Sequence, residues 1–213
     1  PYLSIPPPDF NSPRLTVGWL GRFVPIKNLP LLIEIATLAA KRKLPLDFFV
    51  AGDGPERTHF EEEIRERQLS NIRLLPWQDK VDRVIAQCHL LILTSHREGT
   101  PLTLIQGMAS ARPFISTPAG GTVDLMTGPC RMAQSAWWYD NAVLCSPSPD
   151  AFLQAFESIL ADRGRLAPMA SASRVFALRS FDEPRLVGDI TNLYHQLLSP
   201  HKSTTQPIVE QLL

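Results

Sequence analysis

The sequence predicts an α/β protein built on an open, doubly wound parallel sheet. Three observations carry that expectation. Short apolar runs alternate with amphipathic helical stretches between Leu15 and Thr117, the connections between them are short, and one run is apolar at every position. The strand-like runs are Leu15–Leu20, Leu46–Ala51, Ile72–Leu75, Leu90–Thr94 and Phe114–Thr117. Leu90, Leu91, Ile92 and Leu93 leave no polar face, as expected of a central strand covered on both sides. Between strands, Leu29–Lys43 sets Leu32, Ile33, Ala36 and Ala40 along one helical face. Arg57–Gln68 carries Glu61, Glu62, Glu63, Arg65, Glu66 and Arg67, the composition of a solvated helix. Asp79 is expected to cap a short helix at Lys80–Gln87, and Pro101 to open Pro101–Ser110. Strand–helix alternation of this kind implies right-handed crossovers and a Rossmann-like sheet.

Past Gly121 the pattern loosens. Thr122–Asn141, with Trp137, Trp138 and Tyr139 together, reads as an irregular insertion or flap, and Ala142–Cys145 as an added edge strand. Ser148, Pro149 and Asp150 form an N-terminal cap for a helix through Asp162. Extra C-terminal helices follow near Arg165–Leu178 and Asp182–Leu198. Prolines 1, 6, 7, 8 and 13 mark residues 1–14 as an extended linker, and 199–213 reads as a polar tail, which leaves 15–198 as one domain.

Composition narrows the class. Lys plus Arg and Asp plus Glu both number 21, a balance without the excess of cations that a nucleic-acid surface needs. No basic, apolar leader and no run of membrane-spanning length is present in the sequence. Cys88, Cys130 and Cys145 are odd in number and contain no CxxC pair, so neither a disulfide framework nor a zinc site is expected, and a cytoplasmic location is.

Ligands of doubly wound sheets bind beyond the carboxyl ends of the strands, so the loops after strands are the candidates. After the first strand, Gly21 and Arg22 precede Lys27 at the entry to a helix; the two cations either converge on a diphosphate or stand as solvated surface charges. After the second, Gly52 and Gly54 flank Asp53, in either a structural turn or a close approach of backbone to ligand. After the fourth come Ser95, His96, Arg97, Glu98, Gly99, Thr100, Pro101, Leu102 and Thr103, leading into a helix that contains Gln106. The amides of that helix's first turn offer an anion site, and Glu98 a carboxylate for sugar hydroxyls. Gln106 shares a face with Leu102 and Ala109 and is directed inward, toward either core partners or a ligand. His96 reads as a surface loop residue. Thr117–Thr122 adds a small-residue turn beside the same crevice. A dinucleotide-binding oxidoreductase is disfavoured, because no GxGxxG occurs.

In this order, VGWLGRFVPIKN, FFVAGDGPER, IRLLPW, LLILTSHREGTPLTLIQGMASARPFISTPAGG and PDAFLQAFESILAD resemble the C-terminal, donor-binding domain of the retaining glycosyltransferases of glycosyltransferase family 4. The resemblance covers Leu15 to Leu198 and implies one half of a GT-B fold. It implies that Arg22 and Lys27 hold the donor diphosphate, that Glu98 binds hydroxyls of the transferred sugar, and that backbone amides of Gly99–Thr103 contact sugar and phosphate. Trp77 would line the base pocket. The family's second Glu, which binds ribose, falls at position 106, where this chain has Gln106; Asp124 likewise stands where Glu is common. The expected substrate is a nucleotide-diphosphate sugar, with no cofactor and no metal required. The expected partner is an N-terminal acceptor-binding domain absent from this chain, with peripheral membrane attachment of the full-length enzyme allowed. A non-catalytic nucleotide-sugar-binding domain and a related GT-B sugar-nucleotide epimerase are the alternatives.

Overall fold

The computed structural model describes residues 1–133 and 135–198; the tail expected at 199–213 lies outside them. The first half alternates as the sequence leads one to expect: β1 (Leu15–Leu20), α1 (Leu29–Lys41), β2 (Leu46–Ala51), α2 (Arg57–Glu66), β3 (Ile72–Leu75), α3 (Val81–Ile85), β4 (Leu90–Leu93), α4 (Leu102–Ala109) and β5 (Phe114–Ser116). Then come β6 (Arg131–Ala133), β7 (Ala136–Trp138), β8 (Ala142–Cys145), α5 (Pro149–Ala161), α6 (Leu166–Phe181) and α7 (Glu183–Leu198). Their order in the sheet is β3-β2-β1-β4-β5-β8-β7-β6. From β3 through β8 all pairings are parallel, so this is a Rossmann-like doubly wound α/β sheet that reverses direction between β1 and β4.

The two faces of the sheet are separated by strict alternation. Leu15, Val17 and Trp19 of β1, with Leu46, Phe48 and Val50 of β2 and Leu90 and Ile92 of β4, pack under α1, α2 and α5. Leu91, Leu93 and Phe114 point the other way, toward Leu104 and Met108 of α4 and Ala177 of α6. Gly18 belongs to this second face because a Cβ there would fall 2.5 Å from Cys88 Sγ. Helix α5 starts as expected, with the Ser148 side chain accepting from the Ala151 amide at 3.3 Å.

Three expectations are corrected. Ala142–Cys145 is not an edge strand: it is fully buried, parallel to β5 and antiparallel to β7. The expected flap at Thr122–Asn141 instead holds a 3₁₀ turn, Gly120–Leu125, and the antiparallel pair β6–β7, which extends the sheet beyond β8 and removes β8 from its edge. Asp79 does not cap α3; its carboxylate accepts from Trp77 Nε1 at 3.1 Å, and α3 begins at Val81 without a side-chain cap.

Residues 1–14, expected as an extended linker, instead hold a 3₁₀ turn at Tyr2–Ser4 and further bends and turns, and they are docked on the domain. The buried Arg112 guanidinium donates to the carbonyls of Pro6 (2.7 Å), Cys88 (3.1 Å), Ala86 (3.1 Å) and Ser110. Burial pushes its pKa down to about 10. Arg163 reaches the carbonyls of Phe10, Ser12 and Pro13, and Arg174 that of Ile5. At the other end of the chain, α7 has no buried residue, and Leu186, Val187, Ile190, Leu193, Tyr194 and Leu197 are all exposed. Among the described residues no helix is long and apolar enough to cross a membrane.

His89 lies beside the docked segment, where its Nδ1 accepts the Thr16 amide at 2.8 Å. Burial lowers its pKa, opposed by a main-chain hydrogen bond with Asp9 and reinforced by Arg112 and Arg163. A neutral folded imidazole means that the unfolded chain takes up the proton first as pH falls. Stability contributed here is therefore present above the ordinary histidine value and lost as pH drops through and below it. Thermal melts from pH 8 to 5 should show a falling melting temperature, and His89→Gln should flatten the part of that fall near pH 6. An unchanged slope in the variant would remove His89 from the account.

Candidate functional site

The switch between β1 and β4 opens a crevice at the carboxyl edge of the sheet, and the loops after β1, β2, β4 and β5 interlock around it. After β1, Pro25–Lys27 forms one 3₁₀ turn, and Asn28, at φ 50°, turns the chain into α1. The loop after β2 packs main chain on main chain against it. Gly21 N donates to Ala51 O at 3.1 Å, Phe23 N to Asp53 O at 2.8 Å, and Glu56 N to Phe23 O at 3.1 Å. A Cβ on Gly52 would stand 1.8 Å from Gly21 O, and one on Gly54 2.5 Å from Phe23 O. The space these glycines spare is thus filled by neighbouring backbone. Gly52 still borders the crevice, whereas Gly54 lies behind Phe23 and borders neither of the cavities described below.

The loop after β4 is fixed from both sides. His96 N donates to Ile26 O at 2.9 Å, Thr94 Oγ1 to Lys27 O at 2.8 Å, and Thr117 Oγ1 to Ser95 O at 2.6 Å. Behind it, Cβ atoms on Gly120 and Gly121 would fall 2.1 Å and 2.0 Å from the carbonyl oxygens of Glu98 and Gly99. Lys27 Nζ and Ser95 Oγ both donate to Glu98 Oε1 at 2.6 Å. The side chains of Lys27 and Glu98 are only 24 % and 9 % exposed, so this is a largely desolvated ion pair.

Two cavities follow from this arrangement. One, of about 230 Å³, is bordered by Lys27, Ser95, Glu98, Thr100, Pro101 and Leu102. The other, of about 150 Å³, is bordered by Gly52, Trp77, Gln78, Val81 and Gln106. Leu20, Gly21, Arg22 and Thr103 border both. Arg22 is exposed, and its side chain has no hydrogen-bond or ion-pair partner among the described residues. The Leu102 amide is engaged by Thr100 O, while the Thr103 amide has no main-chain acceptor among the described residues. A Cβ on Gly99 would meet nothing within 4 Å, so the packing of the chain does not itself demand glycine there.

The crevice therefore brings together Gly21, Arg22, Lys27, Gly52, Trp77, Ser95, Glu98, Thr100, Pro101, Leu102, Thr103 and Gln106, and leaves Gly54 and Gly99 outside the lining of both cavities. Gln106 and Leu102 do not point into the core, and Leu102 is 65 % exposed. The start of α4 overhangs the carboxyl end of β1, so Leu104, Gly107 and Met108 form the core face and Gln106 the crevice wall. Helix α4 begins at Leu102, with Pro101 as its N-cap residue. His96 is exposed, as expected. Sequence reasoning gave no role to Thr94, whose signal was a hydroxyl directly after the all-apolar β4, and placed Thr117 beside the crevice without its bond to Ser95. A larger cavity, about 580 Å³, lies between the β6–β7 pair and α5–α6. There Arg165 stacks over Trp138 at 4.9 Å and pairs with Asp162, so its charge is already matched.

Gly52 and Gly54 sit at φ 149° and 151°, where a side chain adds both strain and overlap. Gly52→Ala and Gly54→Ala should each cost roughly 3 kcal/mol in denaturant unfolding. Wild-type midpoints would mean that the two loops do not lock as described.

The glycosyl transferases group 1 family profile matches residues 14–162, most of the chain. Over 103 residues the chain is 30 % identical to the putative glycosyltransferase EpsF of Bacillus subtilis, which covers 48 % of this chain and 27 % of EpsF. It is also 30 % identical over 111 residues to a poly(ribitol-phosphate) alpha-N-acetylglucosaminyltransferase of Staphylococcus aureus, covering 52 % and 22 % of the two chains. The matched stretch is thus under a third of either relative. Among solved structures, Anabaena HepE with UDP-glucose superposes with a TM-score of 0.72 at 19 % identity, over 86 % of this chain and 49 % of HepE. The C-terminal domain of a group 1 glycosyl transferase from Francisella tularensis superposes with a TM-score of 0.67 at 16 % identity, over 85 % of this chain and 98 % of that domain. Fold, profile match and the position of the crevice lead to one assignment: this chain belongs to the group 1 glycosyl transferases and carries a domain of the GT-B type.

Proposed function

We propose that the crevice binds a nucleotide-diphosphate sugar and that the chain is the donor half of a two-domain glycosyltransferase. The observation that carries this reading is the pair of adjoining cavities that share Arg22. The base lies against Trp77 and the ribose against Gln106 in the smaller one. The diphosphate spans Arg22, the amide of Thr103 and Lys27, and the sugar enters the larger one beside Glu98. In the transfer, the bond from the anomeric carbon to the diphosphate breaks, and the acceptor hydroxyl oxygen bonds that carbon on the same face while its proton passes to the leaving diphosphate, as in the retaining family 4 enzymes. Arg22 and Lys27 take up the charge of the leaving diphosphate, a role filled by metal ions in other enzymes. The acceptor site belongs to a further, N-terminal domain of the full-length protein, and the exposed apolar row on α7 supplies surface for that domain to cover. The polar side of α7 holds Glu183, Arg185 and Asp189 and lacks the cationic excess of a membrane-surface helix. A cytoplasmic location completes the reading.

Removing one charge-assisted contact costs about 1.5–3 kcal/mol. Arg22→Ala should therefore weaken binding of UDP, ADP or GDP, whichever binds wild type, about tenfold or more by calorimetry. Unchanged affinity would refute the assignment, and loss of wild-type binding in EDTA would refute its metal-free form.

Gln106 favours a second reading, a binding domain without catalysis, because an amide can accept from one ribose hydroxyl and only donate to the other. Gln106→Glu should tighten nucleotide binding by about fivefold, less the cost of desolvating the new carboxylate. Flat affinity would remove Gln106 from the ribose site. Sugar transfer by the full-length enzyme, measured with the same donors, separates the active enzyme from the binding domain.

A further inference from the structure

Ser95 was expected to touch the donor, yet it is only 1 % exposed and leaves almost no surface for a ligand. Its hydroxyl is instead committed to Glu98 Oε1, which also accepts from Lys27. With two donors on Oε1, the remaining capacity of the carboxylate lies on Oε2. Oε2 has no hydrogen bond within the described residues and is not among the buried unpartnered atoms, so it is the oxygen that keeps contact with the cavity. Ser95 is itself held rigidly. Its carbonyl accepts from Thr117 Oγ1 at 2.6 Å, and Thr117 is 3 % exposed. A chain of buried groups thus runs from Thr117, just after β5, through Ser95 to one oxygen of Glu98, and the other oxygen is the one left to a ligand.

We infer that Ser95 is a positioning residue: by fixing Oε1 together with Lys27, it aims Oε2 of Glu98 at a hydroxyl of the transferred sugar. This rests on the nucleotide-sugar reading and adds to it a division of labour in which Ser95 serves the sugar and not the nucleotide. The consequence is a split between two ligands that share the nucleotide part.

The test uses this chain with UDP and UDP-glucose, ADP and ADP-glucose, and GDP and GDP-mannose, keeping the pair that binds wild type tightest. Ser95→Ala should leave affinity for the nucleoside diphosphate unchanged and weaken the nucleotide sugar by about threefold to tenfold. In a Glu98→Ala background, where Ser95 has lost its acceptor, adding Ser95→Ala should change nucleotide-sugar affinity by less than about twofold. Thermal melts accompany each variant. The inference is overturned if Ser95→Ala binds the sugar-bearing ligand like wild type, if it weakens both ligands equally, or if its full effect persists without the Glu98 carboxylate. Arg22→Ala keeps the two levels apart. If that variant binds the nucleoside diphosphate normally, the nucleotide-sugar reading falls; if it binds weakly while Ser95→Ala behaves as wild type, only the positioning role falls.

Discussion

The contact on which the crevice depends is main chain against main chain at the carboxyl edge of the sheet. Loops after β1 and β2 meet at Gly52 and Gly54, and loops after β4 and β5 meet at Gly120 and Gly121, each glycine closing on a carbonyl oxygen. Side chains at these positions would hold the loops apart by the width of a methyl group or more. Because the backbones touch, Arg22, Lys27 and Glu98 rise from a platform whose shape is set by peptide geometry. Such a platform loses little entropy when a ligand arrives, since its order is secured during folding.

Within that platform charge is sparingly arranged. Among the described residues, the cavity of about 230 Å³ is bordered by one carboxylate, which is matched by Lys27, and the side chain of Arg22 is left as the bordering cation without a partner of its own. A dianionic ligand would therefore meet Arg22 directly and would have to compete with Glu98 for Lys27. The pair offsets the cost of placing a carboxylate at that depth, which would be high without a counter-charge. It also keeps Lys27 from folding out into solvent when the crevice is empty.

The parallel half of the sheet could be read from the sequence because β1, β2 and β4 are covered on both faces and their apolar runs are nearly unbroken. The sites after them followed from topology, since the position of the switch names the loops that matter. What escaped was set by partners far away in the chain. The β6–β7 pair carries no signal in Arg131, Met132 and Ala133, all exposed and without alternation, and so β8 read as an edge. Periodicity found the face of α4 that holds Leu102 and Gln106, yet it could not tell that this end of the helix overhangs the strands. The docking of residues 1–14 depends on Arg112, Arg163 and Arg174, which stand 106 to 169 residues from the carbonyls they reach there.

That docking has a chemical logic of its own. Proline offers a carbonyl and no N–H, so a proline-rich segment presents acceptors in excess and cannot join a sheet or helix to satisfy them. Arginine is its complement, with five donors and no acceptor. Arg112 and Arg163 reach the carbonyls of Pro6 and Pro13, atoms that every residue type possesses. Recognition of this kind fixes the path of a chain without reading its letters. Ile5, which is buried, Phe10, which packs on the core, and Arg14, which pairs with Asp47, are held by their side chains; the other side chains of residues 1–14 should accordingly drift more freely over evolutionary time than the three arginines that grip the backbone.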